Sequence, residues 1–151
     1  TLDRSLTIAA YWPINFEVNC HQIMARLMEI GHEVCLPVVT KQSDKLTFRS
    51  WQYVDGVVRG SFGTWHPPAN KQEVMPSVIL APLLAFGNNG ERLGYGGGYY
   101  DRTFAYFKNI NHQFISVGFA YDDQKVNRVI RDQFDYRLNY VLTEKQLYTF
   151  V

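Results

Sequence analysis

Residues 5–39 read SLTIAAYWPINFEVNCHQIMARLMEIGHEVCLPVV, and the order of patterns in this stretch decides the fold. Residues 5–11 (SLTIAAY) form the short apolar run of a buried strand, ended by Trp12-Pro13. A helix fits 17–30: Val18, Met24, Leu27 and Met28 recur near helical spacing, and Gly31 stands where a left-handed cap belongs. Residues 33–39 (EVCLPVV) are the next strand, with Pro37 suggesting an edge or the strand's end. Strand, helix, strand in that order predicts a right-handed crossover and a parallel sheet.

Outward from this unit the signals vary in strength. Leu46, Phe48 and Trp51 hint at a short strand and Val57-Val58 at another piece, whereas 65–68 (WHPP) reads as a rigid, irregular loop. Residues 77–81 (SVILA) make the best buried strand, followed by a long polar, glycine-rich loop over 82–97. A helix over 98–108 puts Tyr100, Phe104 and Phe107 on one apolar face. Residues 114–120 form another strand, and 138–142 the last. The expected fold class is α/β: three layers, with a mostly parallel central sheet and helices on both faces.

Composition narrows the function. A chain of 151 residues, 46% hydrophobic, has the material for one well-filled core and one domain. Its most apolar stretch, residues 74–86, is broken by Pro76 and Pro82 and falls short of the ~20 residues of a membrane span. Fifteen Lys and Arg against 14 Asp and Glu, with no run of either sign, point to neither nucleic acid nor a membrane surface as partner. Cys20 and Cys35 fit no metal or disulfide framework, so a reducing cytoplasm is the expected location.

The chemistry is concentrated in residues 90–102, GERLGYGGGYYDR. They follow the best buried strand and run into a helix, at the carboxyl end of a parallel sheet where α/β domains bind ligands. Gly94, Gly96, Gly97 and Gly98 remove side chains that would block a phosphate and let backbone N–H groups converge on an anion. The following helix aims its positive dipole end at the same place. Arg92 and Arg102 bracket the turn and would neutralise phosphate charge, and Asp101 is placed to hold a Mg²⁺ that bridges phosphates. The plainer alternative is a tight connection with an acid at the helix start. No Walker pattern is present.

GERLGYGGGYYDR, preceded by Pro82-Leu83-Leu84-Ala85-Phe86, resembles the signature of the 5-formyltetrahydrofolate cyclo-ligase family. Tyr11-Trp12-Pro13 with Glu17-Val18, then Leu36-Pro37, then Asp135 with Thr143-Glu144, are similar to further segments of that family in the same order. The resemblance implies ATP-dependent closure of 5-formyltetrahydrofolate to 5,10-methenyltetrahydrofolate, with Mg²⁺, by a monomer or weak dimer. The formyl oxygen is phosphorylated by ATP, N10 of the folate attacks the activated carbon, and phosphate departs. The alternative on the same fold is a non-catalytic folate- or nucleotide-binding protein.

The resemblance assigns ATP binding to Arg92, Gly94, Tyr95, Gly96, Gly97, Gly98 and Tyr99, and Mg²⁺ to Asp101 and Asp135. Arg92 and Tyr100 would be catalytic, and Glu17, Phe62 and Tyr100 would bind the folate, with Glu17 accepting hydrogen bonds from the pterin. Structural roles compete at several of these positions. Glu17 could be a first-turn helix acid, Phe62 a packed loop aromatic, Asp135 a turn residue and Tyr100 part of the core. His66 and His112 have no paired acid nearby in sequence and read as structural.

Three departures accompany the resemblance. Gly87 and Phe134 stand where the family usually has Asp and His. The chain also opens at its first strand, so residues 1–151 are expected to be one cyclo-ligase-like domain without the family's N-terminal Lys- and Arg-bearing helical segment.

Overall fold

The computed structural model describes residues 4–14, 17–129 and 136–150. In chain order its elements are β1 (Thr7–Ala9), α1 (His21–Glu29), β2 (Glu33–Val38), β3 (Thr47–Ser50), β4 (Val58–Arg59), β5 (Trp65–His66) and β6 (Glu73–Val74). They continue as β7 (Val78–Pro82), β8 (Ala85–Phe86), β9 (Arg92–Leu93), α2 (Tyr99–Asn109), β10 (Ile115–Phe119), β11 (Tyr140–Leu142) and β12 (Leu147–Thr149). Eight strands form one sheet in the order β12-β11-β10-β7-β1-β2-β3-β6. The five from β11 to β2 are parallel, and β12, β3 and β6 add antiparallel rims.

Period-2 alternation divides the strands between two cores. Ala9, Cys35, Ile79 and Ala81 face one side, with Phe104 and Phe107 of α2 packed there. Ile8, Ala10, Val34, Leu36 and Leu80 face the other, with Met24 of α1. A strand buried on both faces reads as a continuous apolar run, which is why residues 77–81 stood out. Helices therefore cover both faces, as the three-layer expectation required. Among the described residues no helix is long and apolar enough to cross a membrane.

Several sequence expectations change in detail. The first helix begins at His21 rather than at 17. Glu17 instead turns back on Ile14: its carboxylate accepts from the Ile14 amide at 2.9 Å, and its own amide donates to the Ile14 carbonyl at 3.1 Å. Asn19 Oδ1 then accepts from the His21 amide at 2.9 Å just ahead of the helix, whose N-cap, Cys20, makes no side-chain cap bond. Glu17 is thus a loop residue, not a first-turn acid.

Pro37 lies inside the sheet, not at its edge. The Trp51 amide donates to Val34, so alternation makes Pro37 opposite Phe48 a pair without ladder bonds. On its other side the β1 pairing has already ended at Ala9 opposite Cys35. The 65–68 loop contains β5, paired with β4, and the 82–97 loop contains the β8–β9 hairpin. Two-residue strands are too short to show a period in sequence. Finally, β11 is followed by β12, so 138–142 is not the last strand.

Candidate active site

The carboxyl ends of β1, β2 and β7 open onto a cavity lined by Tyr11, Glu17, Leu46, Trp65, Pro82 and Tyr100. Arg92, at the start of β9, is buried beside it. Its Nε and Nη2 donate to the carbonyl of Pro82, the last residue of β7, at 3.0 and 2.8 Å. The guanidinium carbon also stands 5.0 Å from the centre of the Tyr100 ring. Burial works against the charge of Arg92, and Asp101, Tyr100, Glu17 and Tyr95 work in its favour.

Glu17 faces the same cavity from the loop after β1. Burial raises its carboxyl above the usual carboxylate range, while the Ile14 amide and Arg92 pull in the opposite direction. The Tyr100 phenol is held protonated, chiefly by burial and then by the charge of Glu17. Tyr11 is fixed by a 2.8 Å bond from its hydroxyl to the Val18 carbonyl, and burial holds its proton too. Cys20 donates to the Tyr11 carbonyl at 2.9 Å, and burial pushes the thiol up to about 11, so it packs rather than reacts.

The four glycines of the turn have different surroundings. A Cβ at Gly94 would meet Arg92 Nη1 at 2.8 Å, so this glycine makes room for the guanidinium rather than for a phosphate. At Gly97 the neighbour is the Tyr99 ring, 3.0 Å away. Gly98 precedes α2 with φ 72° and backs onto Arg102. Gly96, with φ 99°, has open space around it and is where an anion has freest access. The first amides of α2 beyond it have no acceptor within the helix.

Other expected site residues gather here as well. Tyr95 is exposed on the turn, and Asp101 lies half-buried in the first turn of α2, within electrostatic reach of Arg92. Phe62 sits at the tip of the β4–β5 hairpin, 67% exposed, with its ring 6.3 Å from that of Tyr99. Its φ of 58° and ψ of 31° are left-handed, a strain of about 1–2 kcal/mol for an aromatic residue. Phe62 is therefore held out from the surface rather than packed on the core. Tyr100 combines both readings, 6.0 Å from Phe104 of the core and half-buried at the cavity wall.

Asp135 falls outside the described residues, as does Phe134. Arg102 spends its guanidinium on the carbonyls of Gly97 and Asp44 instead of on the open side of the turn. Thr143 and Glu144 act locally, on the loop after β10. Thr143 Oγ1 donates to Asp122 at 3.0 Å, and Glu144 accepts from the Asp122 amide at 2.6 Å. The cavity walls from Tyr11, Leu46 and Trp65 were not expected; only Tyr11-Trp12-Pro13, as an outlying segment of the family pattern, gave any signal.

A model of the 5-formyltetrahydrofolate cyclo-ligase family matches residues 1–144. The chain belongs to this family. It is 34% identical over 135 residues to the 5-formyltetrahydrofolate cyclo-ligase of Haemophilus influenzae, covering 85% of this chain and 70% of that one. It is 29% identical to the Escherichia coli enzyme of the same name over 147 residues, covering 94% of this chain and 80% of the relative. Among solved structures it resembles the 5,10-methenyltetrahydrofolate synthetase of Aquifex aeolicus, with a TM-score of 0.76 and 27% identity. That likeness covers 97% of this chain and 72% of the other. The family is the one that residues 90–102 resembled in sequence.

Proposed function

We propose that this chain converts 5-formyltetrahydrofolate to 5,10-methenyltetrahydrofolate, with ATP going to ADP and phosphate. The observation that carries this is one cavity at the carboxyl end of the sheet where Glu17 faces Arg92 and Tyr100, beside a glycine turn that opens a helix. The Glu17 carboxylate suits the adjacent N–H donors of a pterin, and Phe62 offers a face for its ring. Arg92 would offset charge on the phosphoryl group as it passes to the formyl oxygen, after which N10 attacks and phosphate leaves. Tyr100, kept protonated, would orient the formyl group beside Arg92. Gly94 to Gly98, with Tyr95 and Tyr99, would enclose the nucleotide phosphates.

Asp101 has the donor chemistry for Mg²⁺. Among the described residues no three His, Cys, Asp or Glu side chains gather as a metal site, and Mg²⁺ bound with a nucleotide needs only one or two carboxylates. Asp101, together with Asp135, would hold the ion, which when bound supplies neutralisation of phosphate charge. The same reading takes the chain as one domain, acting in the cytoplasm as a monomer or weak dimer.

Full-length protein given ATP, Mg²⁺ and 5-formyltetrahydrofolate should form the methenyl chromophore only when ATP is present. Binding of folate or ATP without phosphate release would instead assign a non-catalytic binding protein.

A further inference from the structure

The turn at residues 94–98 contains a peptide between two glycines, Gly97 and Gly98. Such a peptide flips easily, because neither flanking residue has a Cβ to disfavour either orientation. One side chain selects between them. Arg102, one helical turn on, donates from Nη2 to the Gly97 carbonyl at 2.7 Å and from Nε to the Asp44 carbonyl. Its guanidinium lies over the Tyr99 ring, 4.9 Å from the centre, which fixes the plane of the fork. A second tether runs in parallel: the Leu46 amide donates to Thr103 Oγ1 at 2.9 Å, and Thr103 Oγ1 donates to the Tyr99 carbonyl at 2.6 Å.

We infer that Arg102 is a positioning residue that sets the orientation of the Gly97–Gly98 peptide and does not itself ligate phosphate. The peptide is planar and trans, so its C=O and N–H point in opposite directions. Holding the Gly97 carbonyl toward Arg102 and the 41–46 segment turns the Gly98 N–H to the other side of the turn. An orientation fixed in advance spares the nucleotide the work of selecting it. The fork ties the turn to Asp44, and the Thr103 tether ties it to Leu46, a wall of the cavity that holds Glu17 and Tyr100. The choice of arginine follows from geometry: lysine keeps the charge but cannot hold two carbonyls in one plane or stack on Tyr99 in the same way.

This inference rests on the ATP-dependent reading, and its test separates the two. Arg102→Lys and Arg102→Ala should both raise the KM for ATP by about fivefold, leaving kcat and the KM for the folate within about twofold. In the protein without ligand, amide NMR of Arg102→Lys should show new exchange at Gly97, Gly98 and residues 44–46, with residues 31–33 unchanged. Recovery of the wild-type KM for ATP by lysine would overturn the inference, because charge alone would then suffice. Unchanged amides at Gly97 and Gly98 in the ligand-free variant would overturn it as well. If wild-type protein shows no ATP turnover while those amides do respond, the proposed activity fails and the positioning role stands.

Discussion

The two ends of the parallel sheet use polar groups in opposite ways. At the amino end α1 and α2 stop with the same motif: His32 N bonds to Leu27 O and Gly31 N to Met28 O, while His112 N bonds to Phe107 O and Asn111 N to Lys108 O. The next side chain in each case pins a neighbouring strand. His32 Nδ1 accepts from the Leu6 amide ahead of β1 at 3.0 Å, and His112 Nε2 lies 2.6 Å from the Pro76 carbonyl ahead of β7. Polar groups there close the chain on itself. At the carboxyl end Arg92, Glu17, Tyr100 and Tyr11 are taken out of water around a cavity, and burial shifts every one of them. What sets the carboxyl end apart is that the groups buried there are titratable and burial shifts their charge states, the mark of a ligand site.

Removing the cation should break that asymmetry most severely. Arg92→Leu takes away the charge that Glu17 and Asp101 favour, and the fork on Pro82, so kcat/KM should fall on the order of a thousandfold. Chromophore kinetics would check this, and a loss under tenfold would make Arg92 a merely structural residue. A smaller change is expected at Glu17. Its carboxyl loses its proton above the usual carboxylate range, so activity should rise with pH through that raised value as the carboxylate becomes able to accept from the pterin. Glu17→Gln should flatten this acid limb and lower the plateau by about tenfold to a hundredfold. Stability has the opposite sign. The folded carboxyl binds its proton more tightly than the unfolded one, so stability falls as pH rises from the ordinary carboxylate range through the folded value, and Gln should remove that fall. Thermal melts across the range would test it.

The amino end should respond in stability alone. Gly31 has φ 99°, so Gly31→Ala is strained by about 1–2 kcal/mol and should lower Tm by about 3–6 °C, with kcat/KM at 25 °C within twofold. A matching loss of activity would mean that the two ends are coupled.

What the sequence made legible follows the same division. Strands buried on both faces, the amphipathic α2 and Gly31 carry periodic or conformational signals, so the three-layer sheet could be read. The glycine turn stood out because its glycines and the flanking Arg, Tyr and Asp residues are contiguous in the chain. What stayed hidden depends on side-chain contacts, near or far along the chain, that leave no periodic pattern. Glu17 left its helix because it bonds back to Ile14, Gly94 makes room for Arg92, and Arg102 reaches a carbonyl 58 residues away. The hairpins at 58–66 and 85–93 rest on two-residue strands with no period to detect.

A titration of the isotope-labelled protein with ATP and Mg²⁺, followed through its amide resonances, tests the central claim most directly. The account predicts that Gly96, Gly97, Gly98 and the first amides of α2 shift first and furthest, with residues 31–33 and 111–113 unmoved. Shifts centred on the amino-end residues, or an unmoved glycine turn at saturating nucleotide, would contradict it.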